Sequence, residues 1–452
     1  ARTSREKEAA QAGHRIAQRG VSVRELHAFI DERRVGALSE EGDAWAFAYK
    51  PAWASDPEAF DLSPALPRST GRIVDGASVR PVQWYFDNLL PEEGLRTHYA
   101  REARVAGEDA FGLLAFYGAE SAGSLVLLPP GEGPVAAAGR RPLSDEELSA
   151  RIRNLPRVPL MHDAPKRMSV AGAQHKLLVV LDGDELFEPM PGEASTHILK
   201  PNHPDDDYRN SVINEYFTMR LARALGMPVP AVSRRYVPEP VYLVERFDRL
   251  REGGVVRRRH AIDTCQLLGR ARTFKYTAAT VESLSAIADA CRAPAAARLW
   301  LYRWLVFNLI VGNGDNHLKN ISALVAAEGI ELAPAYDLLS TAVYSTRATS
   351  EQPTWPDLEL ALSLPGARRF GEVTRDKVLE AGEVLGVPPS IARRELGRLV
   401  GKVAGEARES VERIGRDNDR VPEAARVHLA GEMRMVRAIE AVVIADMVGR
   451  LG

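Results

Sequence analysis

The sequence is poor in cysteine, in long apolar runs and in excess charge of either sign. Its 452 residues include two cysteines, Cys265 and Cys291. Neither lies in a CxxC or histidine-spaced pattern, so we expect no disulfide framework and no structural zinc site. The most apolar segments, 301–312 and 438–448, are too short to span a bilayer. With 59 basic and 61 acidic residues, the formal charge of −2 predicts no general affinity for nucleic acid or for an anionic membrane.

Two nucleotide-binding motifs are also missing, and the first residues lack an apolar core. No GxxxxGK[ST] string occurs, which disfavours a Walker-A NTPase, and no GxGxxG string occurs either. Residues 2–8 are highly charged, so we expect no secretory signal peptide there and predict a bacterial cytoplasmic location. The hydrophobic fraction of 45% and the length are those of a globular protein with two or three domains.

The order of segments predicts an α+β protein with a sheet-containing lobe followed by an all-helical lobe. Residues 1–20 form a polar N-terminal extension, and residues 21–131 alternate strand-like runs with helical patches, as in a small α+β subdomain. Residues 132–148 have a linker-like composition. We predict a nucleotide-binding sheet lobe over 150–280 and a helical lobe with a catalytic loop over 281–452. The strand-like runs are Trp45–Tyr49, Leu125–Leu128, Lys176–Leu181, Thr196–Lys200 and a hairpin around Glu252-Gly253-Gly254.

The most specific motif is the string GNGDNHLKN at 312–320, which follows an apolar helical segment. Asp315 and Asn320 have the spacing of the kinase catalytic loop, in which the aspartate accepts the proton of the substrate hydroxyl and the asparagine holds magnesium. Asp337 follows an apolar strand and suits a second magnesium ligand. A surface loop rich in Asx residues would explain a bare Asp-x-x-x-x-Asn. The nine-residue string followed by Tyr336-Asp337 instead favours phosphoryl transfer.

Elements that could bind phosphate lie upstream of this loop. Small residues at 169–174 precede an apolar strand, so their backbone amides could approach phosphate, although a plain turn has the same composition. Lys200 ends an alternating strand and could reach the α- and β-phosphates, or lie at a solvent edge. Glu215 opens an amphipathic helix and could orient that lysine, or interact only with the helix dipole.

Together these strings resemble HipA-type kinases. The resemblance extends over roughly residues 30–440, and the matching strings occur in the family's order. They are SVAGAQHK at 169–176, THILKP at 196–201, NE at 214–215, VERFDR at 244–249, DTCQ at 263–266, GNGDNHLKN at 312–320 and AYDL at 335–338. His175 stands where the family more often has glutamate, which leaves every catalytic position unchanged.

The resemblance implies a protein-kinase-like, phosphatidylinositol-kinase-like bilobal fold and an ATP- and Mg²⁺-dependent serine/threonine protein kinase, the toxin of a toxin–antitoxin pair. It implies that Asp315 is the catalytic base, assisted by Lys200 and Asn320, and that Asn320 and Asp337 hold magnesium. The family pairs with a small HipB-like helix-turn-helix antitoxin that contacts operator DNA, and its protein targets include aminoacyl-tRNA synthetases. The implied nucleotide contacts are Ala171, Gly172, Ala173, Lys200, Glu245, Phe247, Gln266, His317 and Lys319, and the implied autophosphorylation site is Ser169.

Two other functions remain open at this point. The same phosphate-binding residues would serve a kinase of a small molecule or lipid. A catalytically silent module that acts only as a co-repressor with an antitoxin is the other alternative, and the intact acidic residues argue against it. The arginines between Arg246 and Arg259 could contact DNA phosphates or an acidic target, or form a solvated hairpin face.

Overall fold

The protein is a mixed α/β structure in a computed structural model that describes residues 23–162, 164, 174–253 and 255–452. These residues form five sheets, in which neighbouring strands are antiparallel. The strands are β1 (Arg24–Ile30), β2 (Arg33–Glu41), β3 (Ala44–Tyr49), β4 (Arg72–Val74), β5 (Leu125–Leu128), β6 (Arg140–Pro142), β7 (Leu177–Asp182), β8 (Glu185–Pro189), β9 (His197–Pro201), β10 (Val232–Tyr236), β11 (Pro240–Glu245), β12 (Arg249–Glu252), β13 (Val255–Arg258), β14 (Ala261–Asp263), β15 (Ser322–Ala326), β16 (Gly329–Leu332), β17 (Glu359–Leu364) and β18 (Ala367–Arg369).

Helices occur between the strands and dominate the last part of the chain. The α-helices are α1 (Pro51–Ala54), α2 (Pro81–Asp87), α3 (Glu93–Ala103), α4 (Ala110–Tyr117), α5 (Asp145–Arg153), α6 (Ser211–Ala224), α7 (Thr264–Leu267), α8 (Val281–Ala290), α9 (Pro294–Val311), α10 (Arg375–Val384), α11 (Pro389–Asp417), α12 (Arg426–Ala438) and α13 (Ala445–Leu451), with a π-helical segment at Ile439–Ile444. No helix within the described part of the chain has both the length and the apolar character that a membrane crossing requires.

The N-terminal domain is built on a sheet of order β4-β3-β2-β1-β5. The alternation in β3 places Trp45, Phe47 and Tyr49 on one face, where all three are buried. The Trp45 ring meets the edge of Phe111 in α4 at 5.2 Å between centroids. The strands predicted at 45–49 and 125–128 are confirmed, because β3 and β5 occupy them.

The second large sheet has the order β10-β11-β9-β7-β8-β6 and places Lys200 on a central strand. The strands predicted from 176 and 196 are confirmed as β7 and β9. The linker predicted over 132–148 is wrong in part, because β6 and the start of α5 lie within it. β6 pairs with β8 at the sheet edge, where a proline such as Pro142 costs no ladder hydrogen bond, so its linker-like composition was misleading.

The C-terminal part of the chain is helical to a large extent but contains four strands. The prediction of an all-helical lobe after residue 281 is therefore wrong. β15 joins β14 and β16 in a three-stranded sheet, and β17 pairs with β18. These strands are three to six residues long. Apolar runs of that length cannot be distinguished from buried helical turns by periodicity alone.

A buried network of charged groups joins the N-terminal domain to the β12–β13 hairpin. Arg249 Nη2 lies 2.9 Å from Glu120 Oε1, and Arg258 Nη2 lies 2.6 Å from Glu120 Oε2. Arg246 pairs with Asp248, whose other contacts include the Gly123 amide at 2.7 Å. Burial alone would raise the pKa of Asp248, but the adjacent guanidinium groups outweigh burial and hold the pKa well below its usual range.

This network corrects the interpretation of the arginine-rich hairpin as one DNA-facing or solvated surface. Arg246 and Arg249 are buried, and 14% of the Arg258 side chain is exposed. Arginines that neutralise interior carboxylates cannot also contact phosphates on a partner. Of the six arginines, the exposed Arg251, Arg257 and Arg259 are the ones whose side chains could contact a partner.

We expect Glu120→Gln to destabilise the fold by about 3–5 kcal/mol, because it removes one of the two buried carboxylates, Glu120 and Asp248, that neutralise the buried guanidinium groups. Glu252→Gln is the matched control. Glu252 pairs with Arg257 at 3.6 Å at the hairpin surface, where 53% and 70% of the two side chains are exposed. Loss of such a surface pair should cost under about 1 kcal/mol. Denaturant unfolding measures both, and equal effects of the two substitutions would contradict the structural role of Glu120.

The buried, uncharged ring of His260 also links the N-terminal domain to the segment that follows the β12–β13 hairpin. Its Nε2 lies 3.0 Å from the Leu62 carbonyl oxygen and 3.2 Å from the Tyr85 hydroxyl, while Nδ1 lies 3.3 Å from Ser124 Oγ. Burial lowers the pKa of His260 from 6.5 to about 4, although the Leu62 carbonyl acts in the opposite direction. A proton therefore binds the unfolded chain more readily than the native protein between these values.

Between pH 6.5 and pH 4 this difference predicts a loss of stability as pH falls, of about 3 kcal/mol from His260 alone. His260→Gln removes the titrating ring, so the free energy of unfolding should depend less steeply on pH in that window. Urea titrations at several pH values test this, with His428→Gln in α12 as the control. Parallel pH profiles of wild type and His260→Gln would contradict the prediction.

Candidate active site

The loop predicted to carry chemistry begins where α9 ends. Gly312 closes the helix with φ 66°, and a Cβ there would lie 2.7 Å from the Cβ of Ala342, so the position requires glycine. Asn313 Nδ2 then donates to Asn308 Oδ1 at 2.7 Å, and Asn313 Oδ1 accepts from the Asp315 amide at 3.0 Å. These bonds fix the turn that presents Asp315.

The five-residue spacing brings Asn320 back onto Asp315. Asn320 Nδ2 donates to the main-chain oxygen of Asp315 at 2.7 Å, and the His317 amide donates to the same oxygen at 3.0 Å. With Nδ2 committed, Oδ1 is the Asn320 atom that remains to accept a cation. The Asp315 carboxylate is separate from this main-chain bonding, and its Oδ1 accepts a hydrogen bond from the Tyr276 hydroxyl.

Lys200 lies between two carboxylates that come from distant parts of the chain. Its Nζ in β9 is 2.8 Å and 3.0 Å from the two carboxylate oxygens of Glu215 in α6. The same Nζ pairs with Asp337 Oδ1, which follows β16. Lys200 and Glu215 are buried, whereas 37% of the Asp337 side chain is exposed. The alternative of Lys200 at a solvent edge is therefore wrong.

Burial and neighbouring charges together determine the protonation of Lys200, Glu215 and Asp337. Burial alone would lower the pKa of Lys200, but Asp337 and Glu215 outweigh burial and raise it. Burial alone would raise the pKa of Asp337, but Lys200 and then Lys176 reverse the direction and bring it to about 2. Burial raises the pKa of Glu215 to about 7 against the attraction of Lys200. Lys200 and Asp337 are therefore the members that stay ionised at neutral pH.

The Asp337 segment is tied to the loop at 312–320. Asp337 adopts φ 56°, a left-handed conformation that aspartate and asparagine tolerate better than other non-glycine residues. The hydroxyl of its neighbour Tyr336 donates to the Lys319 carbonyl oxygen at 2.7 Å. This bond brings together the two segments that carry Asp337 and Asn320.

The segment that carries two of the implied nucleotide contacts, Glu245 and Phe247, ends beside Tyr336. The Phe247 ring stacks on the Tyr336 ring with 5.4 Å between centroids and 29° between planes. The Glu245 amide is already used, because it donates to the Ala231 carbonyl at 2.9 Å. Phe247 thus lies near the candidate site, while the Glu245 amide is not a free donor for a ligand.

The side-chain polar atoms of Gln266 and Lys319 form hydrogen bonds with other residues of the protein. Gln266 Oε1 accepts from the Asp263 amide at 2.9 Å, and Nε2 donates to the Tyr85 carbonyl at 2.9 Å. Lys319 Nζ lies 2.8 Å from Asn88 Oδ1 and 2.7 Å from Asp263 Oδ2, with 5% of the side chain exposed. Both residues therefore join the loop region to the N-terminal domain, and their role as nucleotide contacts remains a prediction from the sequence.

Tyr276 is the residue that the sequence analysis missed. It follows the short 3₁₀ turn Arg272–Phe274, and its ring meets His317 edge-on with 4.8 Å between centroids. His317 is buried, which lowers its pKa, although Asp315 opposes the shift. No motif or spacing singles out a tyrosine thirty-nine residues before Asp315, a separation that the hydrogen bond spans.

Ser169, Ala171, Gly172 and Ala173 lie outside the described residues, as does the extension at 1–20. Their roles remain predictions from the sequence.

Comparison with known proteins identifies the class to which this fold and site belong. The HipA-like C-terminal domain matches residues 168–410, and the HipA N-terminal domain matches residues 26–128. The C-terminal match alone includes more than half of the chain, so the chain belongs to the HipA family.

Individual relatives agree with this assignment. The chain is 34% identical over 439 residues to the Y4mE protein of Sinorhizobium fredii, with 92% of this chain and 99% of that protein aligned. It is 33% identical over 341 residues to the serine/threonine-protein kinase toxin HipA of Shewanella oneidensis, with 71% and 75% aligned. The fold matches a chain from the Shewanella oneidensis MR-1 complex of HipA, HipB and operator DNA, with a TM-score of 0.75, 27% identity, and 94% and 99% of the two chains covered.

Proposed function

We propose that this chain is an ATP- and magnesium-dependent serine/threonine protein kinase that acts as the toxin of a bacterial toxin–antitoxin module. The observation that carries the proposal is the position of Lys200 between Glu215 and Asp337. A lysine held by a helical glutamate and adjacent to a magnesium-binding aspartate is the arrangement that orders ATP phosphates in protein kinases. On this proposal the six-stranded sheet with α6 is one kinase lobe and the mainly helical C-terminal part is the other.

The donor set fits a magnesium ion that is shared with phosphate. Mg²⁺ prefers oxygen ligands and is usually held by one or two carboxylates together with substrate phosphates. The Asp337 carboxylate is ionised and partly exposed, and the Asn320 amide oxygen remains to accept a cation. Asp337 and Asn320 would hold the ion, which neutralises phosphate charge when bound. Lys200 would exchange part of its contact with Asp337 for the α-phosphate.

Asp315 would act on the other reactant. Its partly exposed carboxylate orients the hydroxyl of a serine or threonine side chain and accepts its proton. The oxygen of that hydroxyl forms a bond to the γ-phosphorus as the bond to ADP breaks. Asn320 and His317 fix the main-chain oxygen of Asp315, so the backbone that carries the carboxylate is already in place.

Transfer of label from γ-labelled ATP tests this function and separates it from the alternatives. We expect magnesium-dependent labelling of a protein in a bacterial lysate, with an aminoacyl-tRNA synthetase as the first substrate to examine. Labelled small molecules or lipids without labelled protein would favour the metabolic kinase. Absence of any ATP consumption, with and without magnesium, would favour the silent co-repressor.

A HipB-like helix-turn-helix antitoxin is the partner that we propose, and DNA would be reached mainly through it. The proposal rests on the similarity to the Shewanella chain that was solved together with HipB and operator DNA. A short helix-turn-helix reading frame beside the gene, and co-purification of its product with this chain, would support it. We also place the protein in the cytoplasm, where such a partner and target are found.

We expect Ser169 to be phosphorylated by the protein itself and the modified form to lose activity. A phosphoserine adds about −1.5 to −2 charges, which in a loop that covers ATP would repel the γ-phosphate. Mass spectrometry after incubation with ATP and magnesium measures the modification. Ser169→Asp should lower turnover, whereas Ser390→Asp at the exposed start of α11 should not. Unmodified Ser169 in a preparation that phosphorylates another protein would contradict the expectation.

A further inference from the structure

In this structure the side chain of Asp315, the candidate base, already accepts a hydrogen bond from a hydroxyl group. The Tyr276 hydroxyl donates to Asp315 Oδ1. Among the described residues, no other side chain hydrogen-bonds to that carboxylate. The tyrosine therefore makes with Asp315 the contact that an acceptor hydroxyl must make before phosphoryl transfer.

The surroundings of Tyr276 combine a fixed backbone with an accessible ring. Its carbonyl accepts from the Ala279 amide at 2.9 Å, and the preceding carbonyl of Lys275 accepts from the Leu318 amide at 3.1 Å. The Lys275 ammonium is paired with Glu92 at 2.7 Å. Tyr276 itself is 44% exposed. A rotation of the side chain can thus free Asp315 without unfolding the loop.

We propose that Tyr276 is a gate on the acceptor side of Asp315, which favours a protein hydroxyl over water as the phosphate acceptor. The inference rests on the proposed kinase function. A water molecule that displaces the Tyr276 hydroxyl gains only the hydrogen bond to Asp315, so it has little binding energy to offset the displacement. A serine within a polypeptide brings additional contacts from its flanking residues, and that binding energy can offset displacement of the tyrosine. Phe274, 47% exposed and two residues away, offers an apolar surface for such flanking residues.

The gate predicts a specific change in Tyr276→Phe, which keeps the ring against His317 and removes the hydroxyl. Without the hydroxyl, water reaches Asp315 freely, attacks the γ-phosphorus and gives ADP and inorganic phosphate, with its proton accepted by Asp315. A hydrogen bond to a charged group is strong enough that its loss should raise phosphate release in the absence of protein acceptor by roughly tenfold or more. The ratio of label incorporated into lysate protein to phosphate released should fall.

The test uses the full chain with ATP and magnesium, and measures phosphate release and protein labelling in parallel. Tyr208→Phe, at a tyrosine of similar exposure (47%), is the matched control and should leave both unchanged. The double variant Tyr276→Phe/Asp315→Asn should lose the extra release, which shows that it depends on Asp315. Unchanged or reduced phosphate release by Tyr276→Phe in a preparation whose wild type labels protein would overturn the gate. A wild type that neither labels protein nor releases phosphate would instead overturn the proposed function.

Discussion

Asp315→Asn should lower phosphoryl transfer by about 10²–10⁴-fold while ATP binding is retained, because the variant loses a general base and keeps the loop. Asn320 and His317 bond to the main-chain oxygen of Asp315, which the substitution does not alter. The asparagine side-chain oxygen can still accept the Tyr276 hydroxyl. Label transfer gives the rate, and ATP titration followed by calorimetry gives the affinity. Expression of the wild type should arrest growth, and expression of the variant should not.

Asp419→Asn, an exposed change just after α11, is the control for this experiment and should behave as wild type. Equal toxicity and equal transfer by wild type and Asp315→Asn would remove Asp315 from the role of base. Loss of ATP binding together with transfer would indicate a damaged site, and the assignment of Asp315 to the acceptor side alone would then fail.

Asp337→Asn should lower turnover by about 10²–10³-fold and also remove the effect of magnesium on ATP affinity. The variant loses the ionised carboxylate that we assign to the cation, which is also one of the two carboxyl groups that contact Lys200. Its left-handed backbone accepts asparagine, so the fold should be retained. ATP titrations with and without magnesium measure the difference directly.

Glu215→Gln is the informative comparison for Asp337→Asn, because it removes the other carboxylate on Lys200 and leaves Asp337 in place. We expect it to weaken turnover while magnesium still tightens ATP binding. If magnesium tightens ATP binding to the same degree in Asp337→Asn as in wild type, Asp337 is not a ligand of the ion.

Much of this architecture could be predicted from local patterns. The apolar alternation around Trp45 and Thr196 indicated strands, and the glycine that ends α9 indicated the loop that presents Asp315. The pairing of Lys200 with Glu215 could be anticipated as an alternative, because both residues lie at recognisable positions of a strand and a helix. Burial then decided between that pairing and a solvent-edge lysine.

The features that could not be predicted from the sequence are side-chain contacts between segments that are far apart in the chain. The hydrogen bonds of Lys319 to Asn88 and of Gln266 to Tyr85 could not be predicted, because these partners are more than 180 residues away in the sequence. The burial of Arg246 and Arg249 could not be predicted for the same reason, since one of their two carboxylate partners, Glu120, belongs to another domain. Local periodicity contains no information on such pairs.

Residues of the N-terminal domain contact the catalytic loop and the segment that carries Tyr276, although both belong to the C-terminal domain. Lys319 in the loop and Lys275 beside Tyr276 both reach Glu92, at 3.4 Å and 2.7 Å, and Lys319 also reaches Asn88. A protease cut in the 129–139 connection would leave these contacts intact only while the two pieces stayed associated. Separated from residues 26–128, the matched C-terminal domain would lose Glu92, which leaves the Lys275 ammonium without its partner at 2.7 Å and Lys319 with Asp263 as its remaining carboxylate. Gene fusions or truncations that discard the first domain should therefore yield inactive chains, although every residue assigned to catalysis is still encoded.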